Sequence, residues 1–289
     1  MKHKLIYLAL CTIACACGEK AAEPKPASNE IWYTTEDQTC LTSTSVVDIV
    51  SDTYENGTLS TVSDTYENGR GVIAYENDIT EIGWYNFSGE PLVTVTLPEG
   101  VTTIGASAFR NCDELVSIDI PVSVTRFEDN IFTECKKLVN IPIDRILANK
   151  TKVASSEFED CEMLASVVIP DGIEEIEHHA FFGCKSLASV VIPNSVKIIG
   201  DGAFAHCKAL KSITIPESVT TIEDSAFYGC TSLESVYCKA TTPPSLGSIY
   251  KFVDNAPERK IYVPRESVAA YQSAPNWSYL ANDIVGYDF

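Results

Sequence analysis

The amino-acid sequence predicts a β-rich solenoid, a stack of repeated coils joined by short turns or helical segments, with a small β cap at its N-terminal end and an α+β cap at its C-terminal end. Three observations carry this reading. Phe recurs at positions 109, 132, 158, 181, 204 and 227, spaced by 23, 26, 23, 23 and 23 residues. Three residues after each Phe comes a Cys, at 112, 135, 161, 184, 207 and 230, and three after each Cys a Leu, at 115, 138, 164, 187, 210 and 233. Each unit then passes into an alternating segment around Ile118, Ile141, Val167, Val190, Ile213 or Val236, the pattern of a strand with one buried face.

Residues 1–4 are basic and residues 5–16 are apolar apart from Thr12, which is the core of a signal peptide. As a helix this run reaches about 18 Å against the roughly 30 Å of a bilayer, so export without a transmembrane helix is expected. Residues 18–29 are small, charged and Pro-containing, as a flexible tether is. Residues 30–78 are expected to form the N-terminal cap. They contain the octapeptide VSDTYENG twice, at 50–57 and 62–69, and its Asn-Gly ending is a strong hairpin signal. A cap over the first coil removes the unpaired backbone of a solenoid end; a tandem duplication without a role is the alternative.

The solenoid is expected over residues 79–238. Its first coil is degenerate, with Ile82, Phe87 and Leu92 at the matching positions and no Cys. Pairs such as Val101 with Ile104, or Val219 with Ile222, turn the chain back to the core, which the Ala-Phe pair, the Cys and the Leu fill. One such unit cannot close a core alone, so neighbours share one. At about 4.8 Å per coil, seven coils give one parallel sheet about 34 Å long. Between Cys135 and Cys161 there are three extra residues and Leu147 replaces the usual Pro, so a bulge or loop is expected there.

The units IPNSVKIIGDGAFAHCKALKSI (192–213) and IPESVTTIEDSAFYGCTSLESV (215–236) resemble leucine-rich repeats of the BspA-like type found in surface lipoproteins of Bacteroides-type bacteria. Residues 239–289 look like the C-terminal cap of that family. The resemblance implies a leucine-rich repeat solenoid at the cell surface, in the outer membrane, that binds a protein partner in adhesion to host cells or matrix; with no catalytic motif in the sequence, an enzyme is not expected. Ala14-Cys15-Ala16-Cys17-Gly18 is similar to a lipoprotein lipobox, with Ala14 where Leu is usual. This implies removal of residues 1–16, lipid attachment at Cys17 and a lipid-anchored linker over 17–29. Cys15 is the competing attachment, and an ordinary signal peptide cut after Ala16 is the alternative.

A formal charge of −19 and a pI near 4.5 exclude nucleic acid as an expected partner and leave the lipid anchor as the one expected membrane contact. The six repeat cysteines form one column of parallel side chains, which do not reach the torsion near 90° that a disulfide needs, so buried free thiols are expected. His178 shares its repeat position with Asp201 and Asp224, the best metal constellation available, yet in a turn where polar residues are simply solvated; no metal or cofactor is expected. No phosphate loop, G-x-S-x-G elbow or H-E-x-x-H motif is present.

The outward positions of the main sheet form two columns. Ser117, Asn140, Ser166, Ser189, Ser212 and Ser235 make the first; Asp119, Pro142, Val168, Val191, Thr214 and Tyr237 make the second. The small, uncharged stretch of Ser166, Val168, Ser189, Val191, Ser212, Thr214, Ser235 and Tyr237 is the expected partner-binding surface, strand propensity alone being the other explanation. Glycan capture by an accessory protein of a nutrient-uptake system is the alternative function. For it the sheet columns supply Tyr237, and a neighbouring turn column supplies Phe182 and Tyr228.

Overall fold

The computed structural model describes residues 25–38, 41, 61–67, 69–75, 77–247 and 252–289. The expected signal segment, Cys17, Cys40 and the first octapeptide lie outside the described residues. In chain order the elements are β1 (Glu30–Thr35), β2 (Thr61–Glu67), β3 (Arg70–Tyr75), β4 (Glu81–Ile82), β5 (Leu92–Thr96), β6 (Thr103–Ile104), β7 (Ser117–Asp119) and β8 (Arg126–Phe127). Helix α1 (Ile143–Leu147) follows, then β9 (Lys152–Val153), β10 (Ser166–Val168), β11 (Glu175–Ile176), β12 (Ser189–Val191), β13 (Ile198–Ile199), β14 (Ser212–Ile215), β15 (Thr221–Ile222), β16 (Ser235–Cys238) and β17 (Ser245–Leu246). The chain ends with β18 (Lys260–Pro264), α2 (Val268–Ser273) and β19 (Ile284–Tyr287).

Each coil but the one holding α1 contributes a strand to the main parallel sheet, and each contributes a two-residue strand to a second. The second sheet runs β4-β6-β8 and then β9-β11-β13-β15-β17. Pairs such as Ile176 with Ile199 and Ile199 with Ile222 stack there in register and stay buried. Between the sheets the Ala-Phe turn closes the coil, and its rings stack along the axis. Phe181 lies 5.3 Å from Phe204 at 3°, Phe204 lies 5.6 Å from Phe227, and Phe227 lies 5.5 Å from Phe252. Phe252 therefore extends the column one unit into the C-terminal cap.

The cysteine column has its own chemistry. Each thiol donates to the carbonyl of the Phe in the preceding coil: Cys112 to Phe87 at 2.9 Å, Cys135 to Phe109 at 3.0 Å, Cys184 to Phe158 at 3.1 Å and Cys230 to Phe204 at 3.1 Å. A small apolar side chain with a weak donor meets both demands of the site, volume and a buried carbonyl. All seven described cysteines are free and buried. Burial pushes the Cys112 thiol up to about 12 and raises Cys135, Cys161, Cys184 and Cys207 as well.

At the N-terminal end β1 pairs antiparallel with both β3 and β5, so the first coil's edge is covered. The second octapeptide forms the β2–β3 hairpin. Glu67 faces Arg70 across a two-residue turn, and Gly69 takes the φ of +80° that such a turn demands. At the C-terminal end β18 pairs with β16, and α2 packs a buried Tyr271 against Trp277 at 4.9 Å. The Tyr271 hydroxyl donates to Ala240 O at 2.8 Å and the Trp277 indole N–H to Pro244 O at 2.7 Å, which ties the cap to the end of the last coil.

The main sheet is not the single continuous ladder that the period predicts. β5 and β7 continue the N-terminal sheet, β10 pairs with β12, and β14-β16-β18-β19 form a third group. The break between β7 and β10 falls on the coil with three extra residues. There α1 takes the place of the expected bulge or loop, because Ile143, Ile146 and Leu147 bury one helical face where other coils run straight on to Pro.

Candidate functional site

The alternating strands fix the outward face of the main sheet. In β10 and β12, Val167 and Val190 point inward while Ser166, Val168, Ser189 and Val191 are exposed. The register pairs Ser166 with Ser189 and Val168 with Val191, so like residues are direct neighbours. Val168 is 65% and Val191 51% exposed, high values for valine. Ser212 and Thr214 are exposed on β14, and Ser235 and Tyr237 half-buried on β16, again paired Ser to Ser and Thr214 to Tyr237. The structure thus brings all eight expected face residues onto one surface.

Beyond Tyr237 this surface becomes aromatic. Tyr237 stacks on Tyr262 at 4.8 Å and 14°, Tyr287 meets each of them edge-on at 5.5 Å, and Phe289 lies 5.1 Å from Tyr287. Tyr262, Tyr287 and Phe289 were not among the expected site residues. Lys260-Ile261-Tyr262-Val263-Pro264 carries the same alternation and closing Pro as the repeat strands, and that signal places Tyr262 in register with Tyr237.

The turn side of the solenoid carries a second row of rings: His179, Phe182, His206 and Tyr228 follow one another at 4.8, 5.1 and 5.3 Å. At its N-terminal end Trp84 is 70% exposed, its indole N–H donating to Glu128 Oε2 at 2.6 Å. His178 Nδ1 lies 2.9 Å from Ser155 Oγ, which also donates to Glu177 Oε2 at 2.9 Å. Glu177 accepts the Ser155 backbone N–H too, at 3.0 Å, so it caps the neighbouring coil. Among the described residues no group of three or more His, Cys, Asp or Glu side chains converges as metal ligands would, so His178, Asp201 and Asp224 do not form the constellation their shared repeat position suggested. Among the described residues, too, no helix is long and apolar enough to cross a membrane.

Comparison with known proteins matches this architecture. A family model described as "BspA type Leucine rich repeat region" fits residues 71–152 and 151–253, in six copies. Among solved structures, a leucine rich cell surface protein from Faecalibacterium prausnitzii is 24% identical over 74% of this chain and 68% of its own, with a TM-score of 0.42. A leucine rich repeat protein of T. pallidum is 30% identical over 60% of this chain and 69% of its own, with a TM-score of 0.36. A leucine-rich repeat protein from Bacteroides ovatus is 23% identical over 65% of each chain, with a TM-score of 0.29. No curated protein matches. Leucine-rich repeat proteins are typically binding scaffolds that engage protein partners. With the family model covering more than half of its length, this chain belongs to the BspA-type leucine-rich repeat family.

Proposed function

We propose that this protein is exported, anchored by a lipid on Cys17, and uses the outward face of its main sheet to bind a protein partner in adhesion to host cells or matrix. The supporting observation is the in-register pair Val168 and Val191, exposed beside the serine column and in the column that leads through Thr214 to the tyrosine cluster. A contiguous apolar patch on a soluble surface marks an interaction site, and interface cores are poor in charge and rich in aromatic residues.

The test is capture of full-length protein by host matrix proteins and by a polysaccharide panel in parallel, repeated with Val191→Glu after a circular dichroism check of folding. Loss of protein capture in the variant supports the sheet face; capture that survives a charge at its centre overturns it. For the anchor, Cys17→Ala is expected to release the protein into the soluble fraction. Continued membrane attachment would move the lipid to Cys15 or replace it with another anchor.

A second reading, glycan capture, is favoured by Trp84. Its ring is held at the surface by Glu128 and mostly open to solvent, as a platform for a sugar ring would be. Polysaccharide binding that survives Val191→Glu and is lost in Trp84→Ala would select this reading.

A further inference from the structure

The three extra residues between Cys135 and Cys161 remodel the middle of the proposed binding face. Arg145, on α1, reaches back to the preceding coil. It donates from Nη1 to Ile120 O at 3.1 Å and from Nη2 to Pro121 O at 2.8 Å and Val124 O at 2.9 Å. A guanidinium has five N–H donors, so two remain. The arginine ion pairs of the described residues belong to Arg110, Arg126, Arg259 and Arg265, and none involves Arg145. The half-buried guanidinium lines a cavity of about 550 Å³ that opens on the sheet face, with Ile118, Asp119, Ile141, Leu164 and Ser166 among its other walls.

The same cavity borders an unpaired strand edge. Sheet pairing of β10 is with β12 alone, and among the described residues no backbone hydrogen bond joins residues 139–142 to residues 164–168. Ala165 O accepts the Ala188 N–H at 2.9 Å and the Ile169 N–H donates to Val191 O at 3.0 Å, so these residues face β12. Alternate residues of a parallel ladder face alternate sides. Ser166 and Val168 therefore turn their backbone N–H and C=O groups away from β12, Ser166 on the wall of the cavity and Val168 just beyond it.

We infer that this notch anchors an extended acidic segment of the protein partner, whose backbone pairs with the free edge of β10 at Ser166 and Val168 and whose glutamate side chain reaches Arg145. The inference rests on the sheet-face reading above and narrows it to one strand edge and one charge. An unpaired edge selects an extended peptide, because strand addition satisfies its backbone groups. A guanidinium with donors to spare selects a carboxylate locally, against the overall charge of −19. Asp119, beside the Ile120 that Arg145 holds, also lines the cavity; it repels a second acid and offers an acceptor to the segment's N–H groups. The apolar walls, Ile141 and Leu164, suit the two methylenes of glutamate better than bare acetate.

The test uses full-length protein, nitrogen-15 labelled, titrated with the peptide acetyl-Thr-Val-Glu-Val-Thr-amide and with its Glu→Gln analogue, followed by amide shifts. The Glu peptide is expected to bind about tenfold more tightly than the analogue, with shifts centred on Ser166 and Val168. Arg145→Met should bring the Glu peptide down to the analogue's affinity. Because Arg145 also holds three carbonyls, Val168→Pro serves as an independent variant: it deletes one edge donor at an exposed position and should weaken both peptides. No binding of the Glu peptide at millimolar concentration, equal binding of the two peptides, or binding unchanged by both variants overturns the inference. If the notch variants leave matrix-protein capture intact while Val191→Glu abolishes it, the sheet-face reading stands and the notch alone falls.

Discussion

Asn255 occupies the position that cysteine holds in the coils before it, three residues after Phe252, and its Nδ2 donates to Phe227 O at 2.9 Å. This is the bond that Cys230 Sγ makes to Phe204 O at 3.1 Å one coil earlier. The substitution of amide for thiol marks the end of the column. No further Phe needs room there, and the longer side chain also reaches Cys230 O at 3.4 Å. Asn255→Ala removes the donor to Phe227 O and the acceptor of Arg259 Nη1 at 3.2 Å and is expected to cost about 1–3 kcal/mol. Asn255→Cys should recover the part that the Phe227 bond contributes. Urea unfolding of the two variants gives the comparison, and equal destabilisation by both would show that the bond carries none of the effect.

The turn side depends on glycine where a neighbouring ring needs its space. Gly229 has φ +69°, and a Cβ built there would lie 2.5 Å from Nδ1 of His206 in the adjacent coil. The left-handed conformation alone is tolerated by side chains, since His206 and Asp254 hold it at equivalent positions. Gly229→Ala should therefore cost about 1 kcal/mol from the backbone and a similar amount from displacing the imidazole. In a His206→Ala background the second part should vanish. A double-mutant cycle by urea unfolding measures this, and an unchanged cost would exclude the ring contact as its cause.

A buried carboxylate stands where four other coils have alanine before the Phe. Glu157 is 1% exposed, and burial pushes its carboxyl up to about 7, only partly offset by Lys150 at 3.4 Å. An acid whose pKa is higher folded than unfolded stabilises the fold below its unfolded value, near 4.5, and that contribution is lost as pH rises through about 7. The loss is at most about 3 kcal/mol across that window. Glu157→Gln should flatten the stability profile between pH 4.5 and 7 relative to the unaltered protein. Parallel profiles from urea melts at several pH values would refute the assignment.

The cysteine ladder predicts masked thiols. At pH 8 the raised thiols of Cys112, Cys135, Cys161, Cys184 and Cys207 carry almost no thiolate, and all six repeat cysteines are buried, so a disulfide-exchange reagent should leave the six unreacted in the native protein. In denatured, unreduced protein all six should react at once. A denatured count well below six would mean that the column is oxidised and would remove the thiol–carbonyl bonds from the account of stability.

The period alone determined much of this protein. Spacing of Phe, Cys and Leu fixes a stack of coils because each 23-residue unit leaves an apolar face that only a neighbour can cover. Alternation in the strand segments fixes which side chains face out, so Ser166, Val168, Ser189 and Val191 were legible as a surface from the sequence. The Gly69 that ends the second octapeptide was likewise a legible turn signal, since few other residues accept its positive φ.

Only the tertiary structure decided what lies between coils. Whether three extra residues become a bulge or a helix depends on the core that receives Ile146 and Leu147, and that choice breaks the sheet and places Arg145 beneath it. The tyrosine cluster joins residues 237, 262, 287 and 289, brought together by β18 and β19 after a cap whose length follows no period. Periodic sequence dictates contacts one repeat apart, because identical units meet identical neighbours. Where the repeat fails, the contacts are set by the space left over, and no local pattern encodes it.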